Sequence, residues 1–132
     1  MRRRTLSRLG ETEMEVLRHV WALGEASVAD VHSTILKDRA VAYTTVMTVM
    51  RKLARKGFLH CDGTGSRYLY TPARAPTQVR QELVQDLLDQ VFQGSASALV
   101  QTLVRSEQIP PGERAEIQEL LMSLAEEGES DV

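Results

Sequence analysis

Thr44, Thr45 and Thr48, followed by Arg51, Lys52 and Arg55, fall on one side of a single amphipathic segment. Short hydroxyl side chains allow close approach to base edges in the major groove of a duplex, and cations one or two turns later can reach the flanking phosphates. Helix propensity does not explain them, because the β-branched residues between Thr44 and Val49 are weak helix formers. Tyr43, at the head of the segment, either staples that end to a core or offers its hydroxyl to a phosphate. Met47 also points outward, where it either meets a thymine methyl or rests on a neighbouring helix. Arg67, next to Gly65 and Ser66, is placed for a phosphate or the minor groove. Arg2, Arg3 and Arg4 read either as an arm along a duplex backbone or as a plain tail.

Other chemistry finds little support. The chain has no Ser/His/Asp constellation, no H-E-x-x-H and no glycine-rich phosphate loop, so it is not expected to be an enzyme. Cys61 is the single cysteine, which excludes an intramolecular disulfide and a cysteine-based zinc finger. His32, His60 and Cys61 could meet as soft-metal ligands, but lone histidines on amphipathic segments are more often packed or exposed. Neither a metal nor a cofactor is expected. Glu11, Glu13 and Glu15 occupy the place where a signal peptide would be apolar, and no later run approaches a membrane span. A cytoplasmic protein without membrane insertion is the expectation.

The elements that must position the threonine-rich segment are legible on both sides of it. Gly10 with Glu13 resembles an N-terminal cap, Met14, Leu17, Val20 and Trp21 recur at helical spacing, and Gly24 ends that helix. Ser27 with Asp30 starts a second helix carrying Val28, Val31 and Ile35. The third runs from about Tyr43 to Lys56, with Val46, Val49, Met50 and Leu53 inward and Gly57 as its stop. Phe58 to His60 and Arg67 to Thr71 read as strands around a turn at Asp62 to Ser66, closed by Pro72. Three helices and a hairpin make a winged helix-turn-helix, mainly α with a small β wing.

After the linker at 72–76 the charge changes sign. Residues 1–75 carry 13 Lys and Arg against 7 Asp and Glu, whereas residues 76–132 carry 3 against 11. The basic part suits a polyanion and the acidic part does not. We therefore expect a DNA-binding domain over 1–75 and a helical dimerisation domain over 76–132. Leu83, Leu87 and Val91 edge a helix ended by Gly94; Leu99 and Leu103 edge one capped by Ser95; Ile117, Leu120, Leu121 and Leu124 edge a last helix before a fraying EEGESDV tail. One chain offers these edges too few facing elements, which predicts a homodimer.

The stretches LGETEMEVLRHVWALGEASVADV, AYTTVMTVMRKLARKGFLH and SRYLYTP together resemble the penicillinase-repressor family of bacterial regulators, the BlaI/MecI group. The resemblance runs from residue 6 to about residue 125, and Tyr43-Thr44-Thr45-Val46 with Arg51, Leu53 and Lys56-Gly57 is its most specific part. It implies a homodimer with outer winged helices that represses transcription from palindromic DNA operators. In some members it also implies cleavage prompted by a membrane metalloprotease sensor. Where the family has an Asn-Phe cleavage bond this chain has Thr102-Leu103, and it lacks the C-terminal Cys-x-Cys pairs of copper-responsive relatives. Two other readings stand beside the repressor: a winged-helix protein-interaction module, and a metal- or ligand-responsive sensor-regulator.

Overall fold

The computed structural model describes residues 9–63 and 68–130. The elements run α1 (Glu11–Leu23), α2 (Val28–Leu36), α3 (Tyr43–Arg55), β1 (Leu59–Asp62), β2 (Leu69–Pro72), α4 (Pro76–Phe92), α5 (Ala96–Arg105) and α6 (Pro111–Ser130). They form two compact units, 1–87 and 88–132.

In the first unit, α1 begins where the Gly10 amide donates to Glu13 Oε1 at 2.8 Å. It ends at Gly24, whose φ of +82° lets its N–H return to the Val20 carbonyl at 2.8 Å. A full capping box opens α2: the Asp30 amide donates to Ser27 Oγ at 3.1 Å and the Ser27 amide to Asp30 Oδ2 at 3.0 Å. The core these helices share includes Val16, Leu17, Val20, Val31, Ile35, Val46, Met50 and Leu53, all fully buried. Val16 belongs to it although the i, i+3 reading passed over it, and Val49 is only half-buried, at the margin of α3's inward face.

β1 and β2 pair antiparallel, Leu59 opposite Pro72 and Asp62 opposite Leu69. The hairpin therefore lies slightly later than the sequence suggests, with Asp62 in the ladder instead of the turn. The cause is local. Phe58 still donates its amide to the Leu53 carbonyl at 2.9 Å, closing the end of α3, so the ladder starts one residue on. β2 is bonded on its other edge as well: Ala26 and Tyr70 exchange amide–carbonyl bonds of 3.0 and 2.8 Å. Tyr70, Phe58 and Leu59 enter the core, and Val79 of α4 closes it.

In the second unit, Ser95 caps α5 by accepting from the Ala98 amide at 3.1 Å. Pro111 opens α6, a position whose amide has no helical partner to lose. α6 continues to Ser130 instead of fraying at Glu126, because an established helix adds a hydrogen bond for each residue it fixes, and Gly128 alone does not stop it. No residue of α5 is buried. Among the described residues no helix is long and apolar enough to cross a membrane.

Candidate nucleic-acid interface

At about 100° per residue, Thr44, Thr48, Arg51 and Arg55 fall within about 60° of one another around α3, with Thr45 and Lys52 along one flank and Tyr43 and Met47 along the other. Thr44, Thr45, Thr48, Arg51, Lys52 and Arg55 are all exposed, as is Tyr43. Val46, Met50 and Leu53 on the opposite side are wholly buried, and this fixes the helix's rotation. The hydroxyl and cation face thus points to solvent because the apolar face has nowhere else to go.

The cations of this unit divide into two kinds. Arg39, in the turn between α2 and α3, donates Nη2 to Glu15 Oε1 at 2.7 Å and Nε to Oε2 at 3.1 Å. The guanidinium holds the Glu15 carboxyl below the usual carboxylate range. Lys56 Nζ lies 3.0 Å from Glu13 Oε1 and 2.9 Å from Oε2. Burial alone would raise Glu13, but the Gly10 amide and Lys56 outweigh it and leave the carboxyl below its ordinary value. Arg51, Lys52 and Arg55 make no ion pair among the described residues. The paired cations tie α1 to the turn before α3 and to the end of α3, while Arg51, Lys52 and Arg55 stand exposed on the outward side, with Lys52 within electrostatic reach of Glu13.

The start of α3 is held by something the sequence reading missed. Ala42 gives it no side-chain cap. Instead His32 Nε2 donates to the Val41 carbonyl at 2.8 Å, and its ring meets Tyr43 edge-on, with centroids 5.5 Å apart. The contact spans nine residues of chain, so periodicity could not reveal it. His60 and Cys61 are both exposed on β1, and among the described residues no three His, Cys, Asp or Glu side chains could together hold a metal ion.

A second unforeseen feature is a cavity of about 500 Å³ between the start of α2, α3 and the hairpin. All three tyrosines of the chain, Tyr43, Tyr68 and Tyr70, line it together with Met47 and Arg51. A smaller one of about 350 Å³ adjoins Arg51, Arg55 and Cys61. Burial, reinforced by the Cys61 thiol across the ladder, pushes the Tyr70 phenol up to about 12. Arg67 and the N-terminal arginines lie outside the described residues.

The residues expected at a dimer interface are spread unevenly. Leu83 packs against the core of the first unit, and Leu87, Leu99 and Ile117 are half-buried. Val91, Leu103, Leu120, Leu121 and Leu124 are exposed, Leu120 and Leu124 by 65% and 62%. Thr102 and Leu103 are exposed within α5, where the Thr102 hydroxyl donates to the Ala98 carbonyl at 2.9 Å.

Four likenesses to known proteins bear on this arrangement. The transcriptional regulator BlaI of Mycobacterium tuberculosis is 40% identical over 86 residues, which cover 63% of this chain and 58% of the regulator. The chain thus spans little more than half the length of that relative. The penicillinase repressor of Bacillus licheniformis is 20% identical over 116 residues, covering 88% of this chain and 91% of the repressor. A crystal structure of a mutant MarR from E. coli matches with a TM-score of 0.51 at 13% identity, over 89% of this chain and 79% of that one, a likeness of fold alone. The family model described as penicillinase repressor matches residues 9–123, a span that takes in the outward face of α3, the hairpin beneath it and most of the C-terminal helices, and the chain belongs to that family.

Proposed function

We propose that the protein is a transcriptional repressor that binds palindromic double-stranded DNA as a homodimer, with residues 1–75 on the duplex and residues 76–132 joining the copies. One observation carries this reading: the outward face of α3 combines three exposed threonines with three cations that have no ion-pair partner among the described residues, while Arg39 and Lys56 are neutralised nearby. The names of the relatives, a transcriptional regulator and a penicillinase repressor, support it. In this reading α3 enters the major groove, with Thr44, Thr45 and Thr48 approaching bases and Arg51, Lys52, Arg55 and Arg67 on phosphates or base edges. The exposed apolar edges of α5 and α6 meet their counterparts in a second copy, and occupancy of a promoter excludes polymerase.

Selection of bound duplexes from random sequence, followed by titration in salt, tests the reading. With about eight phosphate contacts per dimer, log affinity falls against log salt with a slope of about −7. A flat profile rejects it. Arg51→Ala costs about 1–3 kcal/mol and relaxes preference at one base pair if Arg51 reads a guanine, and weakens all sequences alike if it holds a phosphate. Relief through a membrane metalloprotease sensor would require cutting Thr102-Leu103, and because that bond lies inside α5 the helix has to open first.

A further inference from the structure

We propose that the cavity between α3 and the hairpin is a site for a small aromatic carboxylate, with Arg51 holding the carboxylate and Tyr43, Met47 and Tyr68 enclosing the ring. Its volume of about 500 Å³ lies within the range of small-molecule sites. Among the described residues its lining combines three tyrosines with Val28, Ala29, Met47, Ser27 and a single cation, Arg51, and no carboxylate side chain borders it. That composition selects one negative charge on a flat apolar body. A metal cation would find no acidic ligand, and a bare phosphate would engage Arg51 but leave the exposed Tyr43 and Tyr68 rings in water. A planar carboxylate matches the guanidinium fork with two parallel hydrogen bonds. Tyr43 and Tyr68 are 46% and 49% exposed, so a ring seated against them removes apolar surface that is now wetted.

Arg51 is also one of the outward cations of α3, so a ligand that engages its guanidinium withdraws it from a duplex. Competition with DNA rests on the repressor reading, whereas the ligand site does not. Benzoate is the probe, with benzamide, acetate and inorganic phosphate as controls, followed by NMR of the Met47 methyl and Arg51 Nε in the full chain. Benzoate is expected to shift both saturably. Each control, and benzoate on Arg51→Gln or Tyr68→Ala, is expected to bind at least tenfold more weakly. Equal binding of benzamide removes the role of the carboxylate, equal binding of acetate or phosphate removes the role of the ring, and benzoate shifts confined to other residues remove the site. In the second arm, benzoate at half-saturation doubles the apparent Kd for a selected duplex. An unchanged Kd there overturns the competition. A chain that retains no duplex even without benzoate rejects the repressor reading, and the shifts still decide the site.

Discussion

The first unit buries a shared core drawn from three helices, the hairpin and the start of α4, whereas α5 buries no residue and α6 exposes Leu120, Leu121, Met122 and Leu124. The first unit gathers its buried side chains into one core, although Leu23, Leu36, Tyr43, Tyr68 and Val84 stay exposed, whereas no described residue of the second unit is buried. A small unit with closed packing can hold a recognition surface rigidly. An open pair of amphipathic helices is suited to association, since a partner covers what the chain leaves wet.

Substitutions can break or sharpen this contrast. Leu53→Ala removes a fully buried side chain where α3 meets the core, and is expected to cost about 2–5 kcal/mol in denaturant unfolding of the first unit. A loss below 1 kcal/mol would mean the packing is looser than it looks. Glu13→Gln, at the buried end of the Lys56 pair, is expected to cost about 1–3 kcal/mol at neutral pH. Because the Glu13 carboxyl sits below its ordinary 4.5, its contribution is present above that pH and is lost as the pH falls through the lower folded value. The variant should therefore lose less stability than the parent on acidification. Ser27→Ala removes the α2 cap, at a cost of about 1 kcal/mol by thermal melting. Smallest in stability is the paired change Leu120→Ala and Leu124→Ala, expected to move unfolding of the first unit by less than about 0.5 kcal/mol. By sedimentation, however, it should shift the chain towards monomer. Unchanged self-association would place the contact between copies elsewhere.

The sequence disclosed most of what is local. The caps at Gly10, Ser27 and Ser95, the glycine stops and the outward face of α3 follow from spacing and turn chemistry, and the structure has them in place. What it concealed depends on residues far apart in the chain. The His32 contact with Val41 and Tyr43, the Lys56–Glu13 and Arg39–Glu15 pairs, and the meeting of three tyrosines around Arg51 arise only when the helices, the turn between α2 and α3 and the hairpin pack together. The hairpin register was hidden for a subtler reason: a strand-like pattern does not say which amide a preceding helix will keep. Phe58 kept its own.

The bridge between Ala26 and Tyr70 has an evolutionary corollary. Since β2 is clasped on both margins, by Cys61 on one and Ala26 on the other, it cannot slide. Deleting a single residue between Leu69 and Pro72 would reverse which side chains face inward and expel the Tyr70 ring. Relatives should accordingly differ in length beyond the paired residues and keep the clasped stretch constant, a pattern that an insertion scan through the hairpin would reproduce.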